Sequence, residues 1–110
     1  MTNDIADRVT ITHHALGQGG KYVAQVAGES HQGHLEWEPR TGLPKEDVTA
    51  DTRVATHTIV PPEIGGQGIA GLLVERLVAD AREKGFKIVP QCSYVAKKFE
   101  EHPDWADLKA

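Results

Sequence analysis

The segment between Arg53 and Pro90 limits the possible folds of this chain most strongly, because its pattern changes from strand to helix and back to strand. Its first eight residues, RVATHTIV, are dominated by β-branched residues, which favour strands. Pro61 and Pro62 then end the strand, since neither has an N–H for the ladder. Apolar residues follow at helical spacing over about residues 69 to 84, and Lys87–Pro90 forms another short strand. A strand, a helix and a strand in this order predict a right-handed parallel crossover.

The side chains of the first strand are expected to alternate between the two faces of a sheet. This alternation predicts one face made of Val54, Thr56, Thr58 and Val60, and another made of Ala55, His57 and Ile59. The helix has its apolar residues three or four positions apart, at Ile69, Leu72, Leu73, Leu77 and Ala81. Gly85 is expected to end this helix, because glycine readily adopts the left-handed conformation of a helix C-terminus.

The residues before Arg53 predict the strands of an antiparallel meander. Apolar and polar residues alternate around residues 9–11, 22–26 and 34–38, and the segments LGQGG and AGES between these runs are typical of turns. Residues 39–52 are rich in turn-forming and charged residues and are predicted to form a loop.

A second helix is predicted after the strand that ends at Pro90. Cys92 or Ser93 would cap this helix, and Pro103 would end it. Its inward-facing side chains are predicted to be Val95, Ala96 and Phe99. The predicted order is β-β-β-β-α-β-α. We therefore expect an α+β fold with a mixed, mainly antiparallel sheet, one β-α-β crossover and a C-terminal helix.

Length and composition indicate one globular domain over residues 1–110. Apolar residues make up 39% of the chain and charged residues 25%, and no apolar run approaches the roughly 20 residues that span a membrane. The N-terminal residues lack a basic segment followed by an apolar one, so we expect a cytoplasmic protein with no membrane partner. The single cysteine excludes an internal disulfide, and the oligomeric state is left open.

Net charge and histidine spacing argue against two classes of partner. The formal net charge is −4, whereas nucleic-acid-binding proteins usually carry a basic surface. Six histidines suggest a metal site, but His13-His14 and His31-x-x-His34 lack a second ligand pair at a recognisable spacing. We therefore expect no nucleic-acid partner and no metal site.

The turn after the first strand contains GQGIAG, which formally matches the glycine pattern of dinucleotide-binding proteins. Such a site places its first glycine at the end of a strand and an acidic residue about 20 positions later. Here residues 61–65 separate the strand from the pattern, and residues 86–90 contain no acid. No Lys-Ser or Lys-Thr pair follows Gly71, which excludes a Walker loop. The interpretation as a nicotinamide-dinucleotide site is therefore rejected.

The same glycines nevertheless suit a phosphate group. Gly65, Gly66 and Gly68 allow the backbone to turn with its N–H groups pointing inward. The helix that starts near Ile69 adds the positive end of its dipole, so the turn predicts an anion site suited to a pyrophosphate. The alternative is that the glycines only form a tight turn between strand and helix, and the residues alone leave both open.

Several short motifs, taken in order, resemble a known family. The strand, the sequence PPEIGGQGIAG and the helix resemble motif A of the GNAT superfamily of acyl-CoA-dependent N-acetyltransferases, in which Gln/Arg-x-x-Gly-x-Gly/Ala falls on residues 65–70. Residues 53–108 look more specifically like a small single-domain subgroup, and this resemblance covers about half of the chain. The shared motifs are His57-Thr58, Val60-Pro61-Pro62, Cys92-Ser93-Tyr94-Val95 and His102-Pro103.

The resemblance implies how acetyl-CoA would be bound. The strand that carries Thr58, Ile59 and Val60 would splay from the strand that ends at Pro90, and the pantetheine arm would lie in the gap, hydrogen-bonded to the backbone near Ile59 and Val60. Cys92 would lie near the thioester or the pantetheine arm. The pyrophosphate would lie on the backbone amides of Gly66, Gln67, Gly68, Ile69, Ala70 and Gly71.

The chain departs from the pattern of the family at two positions. Gly65 stands where the family prefers Gln or Arg, which implies weaker binding of acetyl-CoA rather than none, because backbone amides still surround the phosphates. Phe99 stands where many larger members have a tyrosine that protonates the departing thiolate. Tyr94 is a candidate replacement for that general acid.

Acetyl transfer to an amine also requires a base, because a lysine-like amine has an ordinary pKa near 10.4 and must lose a proton first. His57 is the best candidate, since imidazole titrates near neutral pH, and the alternative is a strand histidine that faces solvent or packs. Glu63 is a second candidate base. Cys92, at the start of a helix, is a candidate nucleophile for a route through acetyl-cysteine, and the alternative is an inert thiol.

We therefore predict an acetyl-CoA-dependent N-acetyltransferase that acts on an unidentified amine of a small molecule or a protein. A chain of 110 residues has few loops from which to form a substrate pocket. The alternative is therefore a CoA-binding or protein-interaction module with little or no transferase activity.

Overall fold

The computed structural model describes residues 8–16, 19–39, 52–66 and 68–110. The strands are β1 (Val9–Leu16), β2 (Gly19–Val26), β3 (Gln32–Pro39), β4 (Thr52–Ile59) and β5 (Lys87–Pro90). The helices are α1 (Ile69–Lys84) and α2 (Ser93–Glu101), and 3-10 turns cover Pro62–Ile64 and Pro103–Leu108. This is the predicted order of elements. Most of the predicted loop, residues 40–51, lies outside the described residues.

The five strands form one sheet in the order β1-β2-β3-β4-β5. The first three pairings are antiparallel, and β4 pairs in parallel with β5 after the chain has passed through α1. The prediction of an α+β fold with a mixed, mainly antiparallel sheet and one β-α-β crossover is confirmed. Beyond β5, the Ala110 N–H donates a 2.8 Å hydrogen bond to the Ile88 carbonyl, so the end of the chain covers the outer edge of the sheet.

A β-bulge at Thr56 interrupts the pairing of β3 with β4. Trp37 lies opposite Ala55, but the preceding residue of β3, Glu36, lies opposite His57. Thr56 is therefore the extra residue, and the alternation of side chains shifts by one position beyond it. The predicted division of β4 into two uninterrupted faces is wrong for this reason: Ala55 is fully buried, whereas His57 and Ile59 are exposed on the other side.

One face of the sheet carries the hydrophobic core. The side chains on this face pack in one hydrophobic cluster with side chains of both helices. The main members are Tyr22, Ala24, Leu35, Trp37, Leu73, Leu77, Ile88, Val95 and Phe99. We call this side the helix face, and the opposite side, which carries no helix within the described residues, the open face. No helix in the described part of the chain is long and apolar enough to cross a membrane.

The ends of both helices follow the local sequence. Gly68 precedes α1 with a φ of 85°, and Gly85 ends it with a φ of 81°, both in the left-handed region that favours glycine. Cys92 caps α2 in an extended conformation. Val95 and Phe99 are buried as predicted, whereas Ala96 is half-buried.

Candidate active site

The site begins where β4 and β5 separate. Their pairing ends with Ala55 opposite Pro90, and the Cys92 N–H then donates a 2.8 Å hydrogen bond to the Ala55 carbonyl. Within the described residues, positions 56–59 of β4 pair only with β3. Their backbone groups on the β5 side therefore form an open strand edge, which can accept an extended ligand as an additional strand would be accepted.

A glycine turn continues from this open edge to the start of α1. Ile64 is fully buried and anchors the turn, whereas Gly66 and Gly68 are exposed with φ angles of 75° and 85°. A Cβ on either glycine would have no atom within 4 Å, so the backbone conformation, not crowding, requires glycine. The first turn of α1 contains no acidic residue, and its free N–H groups carry the positive end of the helix dipole.

The described residues among those predicted to bind phosphate lie partly in this turn, at Gly66 and Gly68, and partly in the first turn of α1. Ile69 is 2% exposed and Ala70 half-buried, so their side chains pack inward while α1 begins at their backbone. Gln67 lies outside the described residues. Gly65 has an extended conformation, with its N–H bonded to the Pro62 carbonyl at 3.1 Å.

Helix α2 contributes two polar side chains near this turn. A Cβ on Gly71 would lie 3.5 Å from the Tyr94 hydroxyl and 3.9 Å from the Lys98 Nζ. Lys98 also forms an ion pair with Glu101 at 3.4 Å. Lys98 belongs to none of the sequence motifs that predict the site. Its position four residues after Tyr94, on the same side of a helix, was the available signal.

Cys92 lies on the helix face, with its sulfur 3.6 Å from the Thr58 hydroxyl oxygen. The thiol is half-buried. Burial alone would raise the pKa of Cys92, but the Val95 amide, the Thr58 hydroxyl and the Tyr94 amide stabilise the thiolate and outweigh it. The pKa of Cys92 therefore lies below the ordinary value of a thiol, which increases the fraction of thiolate.

His57 lies on the open face, 64% exposed, with its Nδ1 4.0 Å from the Glu36 Oε1. Adjacent residues of a strand point to opposite sides, and Thr58 points towards Cys92. The two candidate catalytic side chains, His57 and Cys92, are therefore separated by the thickness of the sheet. Glu63 has a different neighbour: its Oε2 lies 3.8 Å from the His31 Nε2.

The other residues expected near the cofactor differ in their surroundings. Ile59 is 49% exposed, and Val60 packs against the core. Phe99 is 7% exposed and packs edge-to-face on Trp105 with ring centroids 5.4 Å apart, so it fills the core. The Tyr94 hydroxyl, in contrast, lies 3.5 Å from the position that a Cβ on Gly71 would take.

The histidines considered as metal ligands have other contacts. His13 Nε2 accepts a 3.0 Å hydrogen bond from the Trp37 Nε1, and its ring stacks on the Trp37 ring. Across the described ranges, no group of three or more His, Cys, Asp or Glu side chains is arranged to hold a metal ion.

Residues 21–108 match the family model of the GCN5-related N-acetyl-transferases, and this range includes β3, β4, the glycine turn and both helices. The chain belongs to this family. The resemblance inferred from its motifs is therefore confirmed at the level of the GNAT superfamily.

A solved structure supports the fold of this GNAT protein. It is that of a ribosomal-protein-alanine N-acetyltransferase from Brucella melitensis biovar Abortus 2308, with a TM-score of 0.55 and 21% sequence identity. The match covers 76% of this chain but only 62% of that one. At this identity the likeness shows the fold alone. No protein of curated function matches the sequence.

Proposed function

We propose that this GNAT protein is an acetyl-CoA-dependent N-acetyltransferase. One observation carries the proposal: the open edge of β4 continues directly into a glycine turn that ends at the positive end of α1. An open strand edge suits an extended amide-containing chain, and the helix start suits a pyrophosphate. The strand edge and the helix start follow one another in the same order as the pantetheine arm and the pyrophosphate of coenzyme A.

The residues available to hold acetyl-CoA are mainly backbone. The edge at Thr58, Ile59 and Val60 would hydrogen-bond the pantetheine arm. The N–H groups from Gly66 to Gly71, with Gln67 among them, would hold the pyrophosphate, and the Lys98 ammonium near Gly71 adds a positive charge. When bound, acetyl-CoA would supply an acetyl group activated as a thioester.

Two chemical routes are compatible with the chain's own side chains. In the first, the Cys92 sulfur forms a bond to the acetyl carbon as the thiolate of coenzyme A leaves, and an amine then displaces Cys92. In the second, an amine attacks directly after a base such as His57 has taken its proton. Tyr94 is the candidate that returns a proton to the departing thiolate.

The first experiment is a calorimetric titration of the purified protein with acetyl-CoA, using NADH as the control ligand. Micromolar binding of acetyl-CoA without a response to NADH supports the proposal. No binding would mean that the glycines only form a turn.

Transfer assays with Cys92→Ala and His57→Ala then separate the two routes. Loss of transfer with intact acetyl-CoA binding assigns a chemical role to the residue changed. Binding of acetyl-CoA without transfer to any amine would instead favour a CoA-binding or protein-interaction module.

A further inference from the structure

Three titratable side chains from two strands meet on the open face of the sheet. The carboxylate of Glu36 lies between two histidines: its Oε2 is 3.2 Å from the His34 Nε2, and its Oε1 is 4.0 Å from the His57 Nδ1. The Glu36 side chain is 40% exposed, that of His34 27% and that of His57 64%. The group is thus accessible to solvent on the side that no helix covers within the described residues.

The bulge at Thr56 produces this arrangement. Without the extra residue, the register of the first half of β4 would continue and place Thr56, not His57, opposite Glu36. The Thr56 hydroxyl donates a 3.2 Å hydrogen bond to the Glu36 carbonyl and so joins the bulge to β3. Bulges commonly redirect a side chain next to an active site, and this one turns His57 towards a carboxylate.

The group also lies beside the proposed donor site. His57 directly precedes Thr58, whose hydroxyl contacts Cys92 on the helix face. Within the described residues, both belong to the stretch of β4 that has no strand partner on the β5 side. A molecule on the open face can therefore reach the open edge of β4 without displacing a helix. Acetyl-CoA, the acetyl donor, would be held at that edge. An acceptor amine on the open face would approach the donor from the side of the sheet opposite to the helices.

The side chains of Glu36 and His57 are close together but are not hydrogen-bonded to each other. A separation of 4.0 Å is too long for a hydrogen bond, but one nitrogen atom can lie within hydrogen-bond distance of both side chains. A carboxylate attracts an ammonium group, and an adjacent imidazole can accept a proton from it. The other charged or titratable groups that face Glu36 are His34 and Lys21, the latter opposite it in β2.

We propose that Glu36 and His57 form the acceptor site, which takes a primary amine in its ammonium form. Glu36 binds the ammonium group, His34 holds the Glu36 carboxylate in position, and His57 accepts one proton. The amine nitrogen then bonds to the acetyl carbon, the carbon–sulfur bond of the thioester breaks, and the second amine proton passes to the departing thiolate. This inference rests on the proposed transferase function.

Two small amines of similar size test the proposal. Ethylamine is protonated at neutral pH as a lysine side chain is, whereas the fluorines of trifluoroethylamine keep it neutral. With ethylamine, His57→Asn should lower kcat/KM by about 100-fold or more, and Glu36→Gln should raise KM by about fivefold to tenfold. With trifluoroethylamine, both variants should stay within about threefold of the wild-type protein, because no ammonium is bound or deprotonated.

Glu38→Gln is the matched control, since Glu38 is exposed on the same face two residues along β3. Glu38→Gln should leave kcat/KM and KM unchanged for both amines. Equal losses for both amines in Glu36→Gln and His57→Asn would overturn the acceptor site, because a structural disturbance does not depend on the charge of the amine. Unchanged kinetics would overturn it as well.

The same assays distinguish this inference from the proposed function. Failure of the wild-type protein to bind acetyl-CoA in calorimetry would overturn the transferase function and the acceptor site together. Binding and transfer that do not respond to Glu36→Gln would overturn the acceptor site alone.

Discussion

The Tyr22 hydroxyl donates a 2.7 Å hydrogen bond to the Asp80 Oδ2 inside the core, joining the centre of the sheet to helix α1. Tyr22 is fully buried and Asp80 is 5% exposed. Burial acts to raise the pKa of Asp80, but the Tyr22 hydroxyl and the positive charges of Arg76 and Lys84 outweigh it and hold that pKa below its ordinary value. The Arg76 Nε lies 3.3 Å from the Asp80 Oδ1. A charged carboxylate is thus kept in the core by specific partners.

Removing the Tyr22 hydroxyl should destabilise the protein. In Tyr22→Phe the packing is retained while a buried carboxylate oxygen loses its donor, so we expect a loss of about 1–3 kcal/mol in the free energy of unfolding. Urea denaturation measures this loss. Asp107→Ala is the control, because its ion pair with Arg82 is exposed to solvent and should contribute little to stability. Equal losses in both variants would contradict the role of the buried bond.

Asp80 should also make stability depend on pH in the acid range. Its pKa in the folded protein is lower than in the unfolded chain, where an aspartate has a pKa of about 3.9. The stabilisation is therefore complete above the unfolded pKa and is lost as pH falls through the folded pKa. Between about pH 5 and pH 2, the free energy of unfolding should fall more steeply for the wild-type protein than for Asp80→Asn. Parallel slopes in urea titrations across this range would contradict the prediction.

The order of the elements and the bounds of α1 could be predicted because they depend on local signals. The predicted helix over residues 69 to 84 corresponds to α1, Ile69–Lys84, since glycines mark both of its ends. The sequence does not identify Asp80 as a core residue. An acidic residue in a helix usually faces water, and its buried partner Tyr22 lies far away in the sequence, in β2.

The candidate site was predictable only in part, for a similar reason. The turn follows from Pro61, Pro62 and the glycines, which are local, whereas the open edge of β4 was implied only by the resemblance to the GNAT superfamily. The bulge at Thr56 depends on which residue of β3 pairs with which residue of β4, and period-two alternation carries no information about it. The group around Glu36 therefore became visible only in the folded chain.

Gly68 and Gly71 should respond in opposite ways to substitution by alanine. Gly68 has a φ of 85°, which costs an alanine about 1–2 kcal/mol, whereas Gly71 lies inside α1, where alanine is favoured by about 0.8–1 kcal/mol. A Cβ on Gly71 would make only ordinary contacts, 3.5 Å or more from its neighbours. Thermal unfolding should therefore show a lower Tm for Gly68→Ala and an unchanged or higher Tm for Gly71→Ala.

Calorimetry on the same two variants tests the role of the turn. Gly68→Ala should weaken acetyl-CoA binding. Alanine disfavours the left-handed backbone conformation of Gly68, which positions the N–H groups at the start of α1. An affinity of Gly68→Ala equal to that of the wild-type protein would show that the conformation of Gly68 has no part in binding.

The reactivity of Cys92 should reveal its lowered pKa. It is the only cysteine in the chain, so alkylation by iodoacetamide followed by mass spectrometry reports on this one thiol. The midpoint of the rate against pH should lie below about 8.5, the ordinary value of a thiol. Thr58→Val should raise this midpoint, because the valine cannot donate a hydrogen bond to the thiolate. Thr56→Val is the control, since the Thr56 hydroxyl bonds to the Glu36 carbonyl instead. A midpoint at or above that of a free thiol, or equal shifts in the two variants, would remove the physical basis for Cys92 as a nucleophile.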